Sequence, residues 1–178
     1  MSSIEFLLAN AVSGVDVSPE VLSRAMRLAR SGDPTDRDRF SPGHFTASGF
    51  VVSPDESSLL LIHHRRLDRW LQPGGHIDPE DASPIAAAAR EVTEETGVVV
   101  EPILPDLIDL DIHSIPPRIP EPAHEHFDLR FAFRAMNEAL VPADEVHDAV
   151  WVPWEDLDAY VVDASVTRAT AALRRECS

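Results

Sequence analysis

Three glutamates, Glu91, Glu94 and Glu95, lie close together in a stretch that also contains a double glycine and a run of alanines. If the stretch is helical, a rotation of about 100° per residue places the three carboxylates within an arc of about 100°. Carboxylates this close repel one another, and hard divalent cations such as Mg²⁺ relieve the repulsion because they prefer oxygen ligands. From the helix alone a solvated acidic face is the favoured interpretation, and a metal site on that face is the alternative.

Local signals mark both ends of this helix. Ser83 can accept hydrogen bonds from free amides, Pro84 suits the first helical position, and Gly97 suits the residue that ends a helix. Arg90 lies one turn before Glu94 and can pair with it. An adjacent apolar face is formed by Ile85, Ala88, Ala89 and Val92. We therefore predict a helix that packs on one face and presents carboxylates on the next.

The segment from Gly74 to Val98 resembles the Nudix box, whose pattern is glycine, five residues, glutamate, seven residues and then Arg-Glu-apolar-x-Glu-Glu-x-Gly-apolar. The second half matches at every fixed position, namely Arg90, Glu91, Val92, Glu94, Glu95, Gly97 and Val98. The first half departs from the pattern. Counted from Gly75, the acidic position falls on Asp81, and one extra residue precedes Arg90. We expect Asp81 to stand in for the box glutamate.

The resemblance implies a metal-dependent hydrolase that cleaves the diphosphate linkage of a nucleoside diphosphate derivative, with Mg²⁺ or Mn²⁺ as cofactor. It assigns catalytic positions to Arg90, Glu91, Glu94 and Glu95. The three glutamates would bind the metal, the Gly74 carbonyl would be a further ligand, and Arg90 would orient glutamates rather than touch substrate. This fits the chemistry, since a metal ion neutralises the diphosphate and lowers the pKa of an attacking water.

Subfamily features weakly favour an ADP-ribose-like substrate over a nucleoside triphosphate. Pro116 and Pro117 lie nearest the pattern of ADP-ribose pyrophosphatases, whereas the single tyrosine, Tyr160, is outside the window that marks dinucleoside polyphosphate hydrolases. One alternative is a catalytically silent Nudix-fold module that binds nucleotides or regulates, which would usually have lost box carboxylates. Another is an isopentenyl diphosphate isomerase, which needs a catalytic cysteine, and Cys177, interpreted as an exposed tail thiol, is badly placed for that role.

Two other segments supply candidate substrate-binding residues. Arg65, Arg66 and Arg69 concentrate positive charge just before the double glycine, where they either attract a phosphate or form a basic turn. For the adjacent Trp70 we favour core packing over base stacking.

In a later strand, His124, His126 and Asp128 share one face, and aromatic residues share the other. The polar face is open to three interpretations: substrate contact, a transition-metal site, or solvent exposure. Glu145 could supply a further metal ligand or base, although a surface acid is the favoured interpretation.

Strands before, between and after helices predict an α+β fold, an α/β/α sandwich with a mixed β-sheet between helices, as in the Nudix fold. We expect a catalytic domain over residues 44–178 and an N-terminal helical extension and linker over 1–43, whose helix runs from a Ser18 cap to Gly32. Strands are predicted over 45–53, 57–64, 69–75, 126–136 and 149–154, an extended segment over 98–113, and helices over 155–160 and 166–177.

The composition limits the partners. A formal net charge of -16 disfavours binding to a nucleic-acid backbone, and a phosphorylated ligand would need the help of cations. No apolar run suggests a membrane span, the start resembles no secretory signal, and the single cysteine fits a reducing compartment. We expect a soluble cytoplasmic protein with a small-molecule nucleotide-type substrate, no nucleic-acid or membrane partner, and a homodimer as an allowed assembly.

Overall fold

The structure is a computed structural model that describes residues 2–11, 16–144, 146–160 and 163–177. The helices are α1 (Ser3–Ala11), α2 (Pro19–Ala29), α3 (Pro84–Thr96), α4 (Leu157–Tyr160) and α5 (Ala164–Glu176). The strands are β1 (Gly43–Val52), β2 (Ser58–His64), β3 (Arg69–Leu71), β4 (Gly74–His76), β5 (Val100–Pro102), β6 (Asp109–Ile115), β7 (His124–Ala135) and β8 (Val146–Pro153).

The strands form one mixed sheet in the order β3-β2-β1-β7-β5, with β4 also paired to β1, β6 to β7 and β8 to β2. The β1 and β7 strands run parallel from Gly43 beside Glu125 to Val52 beside Arg134, and the other strand pairs are antiparallel. This pairing joins two segments that are about eighty residues apart in the chain, and it sets up the polar clusters described below.

Helices cover both faces of the sheet. On one face, α3 buries Ala88 and Val92 in an apolar cluster that also includes Leu8 of α1 and Leu28 of α2. On the other face, α5 buries Val166, Ala169 and Leu173 against Phe50 and Leu59. Gly49 of β1 permits the close approach of α3, because a Cβ there would lie 2.6 Å from a methyl carbon of Val92. The predicted layered α+β architecture is confirmed.

The predicted helix caps are also present. Ser83 accepts a hydrogen bond from the Ala86 N–H at 3.3 Å, and Gly97 ends α3 with a φ of 72° in the left-handed region. Ser18 caps α2 in the same way, through the Val21 N–H at 3.3 Å. The α2 helix ends at Ala29, three residues before the predicted Gly32.

One predicted strand was wrong, and one helix was not predicted. Residues 69–75 form two short strands rather than one, because β3 pairs with β2 whereas β4 pairs with β1, so the chain must cross at Gln72 and Pro73. The extended segment with proline interruptions predicted over 98–113 contains β5 and most of β6, with Pro105 in the break between them. The α1 helix was not predicted, although Ser2 and Glu5 form a reciprocal capping box there.

Among the described residues, no helix combines the length and apolar character needed to cross a membrane.

Candidate active site

The α3 helix and the β4 strand bring the predicted metal-binding residues of the box next to the double glycine. The Gly74 N–H donates to Glu95 Oε2 at 2.9 Å. A Cβ on Gly75 would lie 2.6 to 2.7 Å from the Glu91 carboxylate. Gly75 therefore approaches Glu91 at a distance that a side chain would prevent, and Gly74 contacts Glu95 through its backbone.

Arg90 organises the other side of this arrangement. Its Nη1 donates to Glu91 Oε1 and to Glu94 Oε2, each at 2.9 Å, and its Nη2 donates to the His76 carbonyl at 3.0 Å. The predicted pair of Arg90 and Glu94 is thus present, and Arg90 holds a second glutamate as well.

Asp81 binds the same guanidinium with both carboxylate oxygens, at 3.0 Å from Nε and 2.9 Å from Nη2. It also accepts the Asp78 N–H at 2.8 Å, which closes the loop before α3. These hydrogen bonds raise the pKa of Arg90 and lower the pKa of Asp81 from their ordinary values. Asp81 therefore fixes the guanidinium of Arg90, and its replacement of the box glutamate stays a prediction.

The Glu91 carboxylate is the more shielded of the two box glutamates that contact Arg90. Its side chain is 16% exposed, against 59% for Glu94. Burial raises the pKa of Glu91 above its ordinary value, because desolvation disfavours the charged form. A nearby cation would offset that cost. The donor set of carboxylate oxygens suits Mg²⁺ or Mn²⁺, so the side chains fit the metal that the box implies.

The glutamates are divided between two sets of contacts in this structure. Glu91 and Glu94 bind Arg90, whereas Glu95 binds the Gly74 N–H. The role of the Gly74 carbonyl as a ligand stays a prediction. Glu145 lies outside the described residues.

The basic turn lies between β2 and β3, and Arg65, Arg66 and Arg69 are all exposed there. The turn ends a few residues before β4, so it precedes the glycine pair as the sequence indicated. Trp70 packs against His63 and Tyr160, with ring centroids 5.0 and 5.2 Å apart, as predicted for a residue of the core. The role of the arginines in binding substrate stays a prediction.

The polar face of β7 is not a solvated surface. His124 is 6% exposed and Asp128 is 4% exposed, so the solvent-exposed interpretation is wrong for these two residues. Two rings cover His124: Phe40, just before β1, has its ring centroid 5.1 Å away, and His44, within β1, has its centroid 5.3 Å away. A strand inside a covered sheet buries both of its faces, which the alternation of residue types along the strand cannot reveal.

Asp128 has a structural environment. It accepts hydrogen bonds from Thr46, Ser48, Gln72 and Arg130 at distances of 3.3, 2.8, 3.2 and 3.0 Å. A buried carboxylate with this many donors holds neighbouring segments together.

Two histidines that the sequence did not indicate as site residues, His44 and His76, lie beside His124 and His126. The ring of His44 is 5.1 Å from that of His76 and 4.8 Å from that of His126. No spacing along the chain connects these residues, since the pairing of β1 with β7 and β4 brings them together. Cys177, predicted to be exposed, is half-buried beside the α5 cluster, and burial raises the pKa of its thiol.

Comparison with known proteins agrees with this geometry. The chain is 49% identical over 47 residues to diphosphoinositol polyphosphate phosphohydrolase 2 of Rattus norvegicus, a match that covers 26% of either protein. It is 39% identical over 54 residues to the putative 8-oxo-dGTP diphosphatase of Bacillus subtilis (strain 168), which covers 30% of this chain and 36% of that protein. The chain thus matches only about a quarter to a third of the length of these curated relatives.

A solved structure extends the similarity to most of the fold. The crystal structure of a NUDIX family hydrolase from Clostridium perfringens has a TM-score of 0.57 at 27% identity, over 74% of this chain and 97% of that one. The sequence model of the NUDIX domain matches residues 43–177, from the start of β1 to the end of α5. By this match, and by the box residues assembled around Arg90, the chain belongs to the NUDIX domain family.

Proposed function

We propose that the chain is a metal-dependent hydrolase that cleaves the diphosphate linkage of a nucleoside diphosphate derivative, with Mg²⁺ or Mn²⁺ as its cofactor. The observation that carries the proposal is the contact of Asp81 with Arg90, which fixes the guanidinium that holds Glu91 and Glu94 beside the double glycine. Arg90 thereby holds Glu91 and Glu94 on one side of the site, and Glu95 contacts the Gly74 N–H.

Glu91, Glu94 and Glu95 would hold the cation, with the Gly74 carbonyl as a further ligand. When bound, a divalent cation would neutralise the diphosphate and make water more acidic. The chain's own residues position the carboxylates: Arg90 sets the directions of Glu91 and Glu94, and the Gly74 N–H sets that of Glu95. Arg90 is a positioning residue, because its hydrogen bonds go to protein groups.

Substrate attraction is the second part of the proposal. In a chain of net charge -16, the exposed arginines of the basic turn provide local positive charge just before the glycine pair in the sequence. We assign Arg65, Arg66 and Arg69 to attracting the phosphates. ADP-ribose-like compounds are the first substrate class to test and nucleoside triphosphates the second. The name of the Bacillus relative supports the inclusion of 8-oxo-dGTP, and that of the rat relative the inclusion of diphosphoinositol polyphosphates.

The intact set of box carboxylates argues against a silent binding module, because such a module would not need Glu91, Glu94 and Glu95 together.

The experiment that tests the proposal is a substrate panel of ADP-ribose, dGTP, 8-oxo-dGTP and a diphosphoinositol polyphosphate, each incubated with Mg²⁺, with Mn²⁺ or with EDTA. Chromatography should show cleavage of a phosphoanhydride bond in at least one substrate with metal, and none with EDTA. Binding of panel members without turnover would instead support the silent module.

A further inference from the structure

A second cluster of potential metal ligands lies at the beginning of β1 and β7, next to the box but made of other residues. The parallel register places His44 directly beside His126, and His124 lies two residues earlier on β7. One ring nitrogen from each of these three histidines lies within 4.8 Å of the others. In the part of the chain that the structure describes, this is the one such group of three His, Cys, Asp or Glu side chains.

Hydrogen bonds fix the tautomers of two of these rings. His44 Nδ1 lies 3.1 Å from the Arg39 carbonyl, and His124 Nδ1 lies 2.9 Å from the Pro122 carbonyl. A carbonyl oxygen can only accept, so in each neutral ring Nδ1 carries the hydrogen and Nε2 has a free lone pair. A backbone carbonyl on one ring nitrogen is the usual outer-shell partner of a metal-binding histidine.

The lone pair of His44 lacks a protein donor. His44 is completely buried, and its Nε2 has no hydrogen-bond partner. His124 Nε2 lies 3.3 Å from His126 Nε2, which can donate only one hydrogen. A buried polar atom without a partner is costly and points to a ligand or water that completes the site.

The three rings offer nitrogen rather than oxygen as the ligand atom. Neutral imidazole suits first-row transition metals, whereas Mg²⁺ prefers oxygen ligands.

We propose that His44, His124 and His126 bind one divalent transition-metal ion of the Zn²⁺ class through their Nε2 atoms, at a site distinct from the carboxylates of the box. Tetrahedral zinc with bonds of about 2.0–2.1 Å to nitrogen separates its ligand atoms by about 3.3 Å. The separation of the His124 and His126 nitrogens is 3.3 Å.

The position of His76 links this site to the box. Its ring is 5.1 Å from that of His44, and its carbonyl accepts a hydrogen bond from Arg90. The zinc site therefore adjoins the His76 end of β4, two residues from Gly74. Its existence does not depend on the hydrolase activity, because none of its ligands belongs to the carboxylate set.

Calorimetric titration of the chelator-treated, dialysed full-length protein with Zn²⁺ tests the proposal. We expect a tight site of one ion per chain. The affinity for Zn²⁺ should fall in His44→Gln, His124→Gln and His126→Gln. The loss should exceed the roughly 10–100-fold that removal of an outer-shell partner causes. The matched control is His147→Gln, which removes an exposed histidine near His63, and a Glu94→Gln, Glu95→Gln variant controls for zinc in the box. Both controls should keep the tight site.

Two outcomes of this titration would overturn the proposal. One is the absence of tight binding, and the other is tight binding that survives the three histidine substitutions or disappears in the box variant. Because His44 is buried, circular dichroism should accompany each titration.

Two measurements on the unsubstituted protein remain decisive if a variant does not fold. Co²⁺ should give the intense visible absorption of a tetrahedral site, which Zn²⁺ should displace and Mg²⁺ should not. NMR of the ring nitrogens should show hydrogens on Nδ1 of His44 and His124, and Zn²⁺ should shift the Nε2 resonances of the three rings. An octahedral Co²⁺ spectrum, or Nε2–H tautomers at both positions, would contradict the proposal.

Discussion

Arg90 and Asp81 are joined by two side-chain hydrogen bonds, from Nε to Oδ1 at 3.0 Å and from Nη2 to Oδ2 at 2.9 Å. The bidentate geometry fixes the direction of the guanidinium as well as its position. It ties the loop between β4 and α3 to the helix that carries Glu91 and Glu94. The box thus keeps its internal support although the loop is one residue longer and the acid is one methylene shorter than in the family pattern.

The first prediction concerns this contact. Asp81→Ala should lower the free energy of unfolding at pH 7 by about 1.5–3 kcal/mol, because hydrogen bonds to a charged partner are lost. The exposed neighbour Glu80 supplies the matched control, and Glu80→Ala should change stability little. Urea unfolding followed by circular dichroism would measure both.

The same contact predicts a pH dependence. The hydrogen bonds from Arg90 hold the pKa of Asp81 below its ordinary value. A carboxyl with a depressed folded-state pKa contributes stability above its unfolded-state pKa, and that contribution is lost as pH falls through the folded value. The stability difference between the unsubstituted protein and Asp81→Ala should therefore be constant from pH 7 to about 5 and shrink below about 4. A difference that stayed constant down to pH 3 would contradict this account.

The two adjacent glycines should respond differently to alanine. A Cβ on Gly74 would lie 2.4 to 2.7 Å from Ser48 and from the Ala47 backbone in β1, which cannot move aside. Gly74→Ala should therefore destabilise the protein by about 1–3 kcal/mol. A Cβ on Gly75 would meet the end of the Glu91 side chain, which can rotate away. Gly75→Ala should keep most of the stability and lose affinity for Mg²⁺. Thermal unfolding and a Mg²⁺ titration of both variants would check this contrast. Equal losses of stability in the two variants would contradict it.

Glu94→Gln and Glu95→Gln should each leave the fold intact and lower hydrolysis by orders of magnitude, because the cation loses a charged oxygen ligand. Glu80→Gln changes an exposed glutamate of the preceding loop and should keep the activity. Circular dichroism and the hydrolysis assay should be run on the same preparations. Near-normal turnover in both box variants would contradict the assignment of Glu94 and Glu95 as metal ligands.

The arginines of the basic turn should act on binding rather than on chemistry. Alanine at Arg65, Arg66 or Arg69 should raise KM more than it lowers kcat if that side chain attracts the substrate, and the effect should fade at high ionic strength. Steady-state kinetics at low and high salt would measure this. Unchanged kinetics in all three variants would leave the turn with a structural role only.

Local signals allowed the box helix to be predicted almost completely. Ser83, Pro84 and Gly97 mark its ends, and the arrangement of its faces follows from the helical period, so no tertiary information was needed. Arg90 and Glu94 are four residues apart, and their pair follows from the same period. The contact of Asp81 with Arg90 was not predicted, since a loop conformation sets it.

The histidine cluster shows what the sequence could not supply. His124 and His126 share a face of β7 because residues alternate along a strand, and a metal site was therefore one of several open interpretations. The third member, His44, joins them through parallel pairing between strands far apart in the chain. The burial of Asp128 has the same origin, since Thr46 and Ser48 of β1 donate to it.

The N-terminal helices were predicted only in part. Ile4, Leu8 and Ala11 of α1 are buried in the same apolar cluster as Phe45 and Phe127 of the sheet. Their spacing fits a helical period, but a segment this short also fits other structures, and its packing on the sheet decides its conformation.

The central claim is that the box binds a cation, which in turn binds the diphosphate. The most direct test is a calorimetric titration with a slowly hydrolysed ADP-ribose or nucleotide analogue. In a chain of net charge -16, the analogue should bind weakly in EDTA and clearly with excess Mg²⁺, and the Glu94→Gln, Glu95→Gln variant should lose most of that gain. Linkage also requires the analogue to tighten Mg²⁺ binding by the same factor. Equal affinity in EDTA and in Mg²⁺ would contradict the account, because the arginines of the basic turn and the histidine face would then carry recognition without the metal.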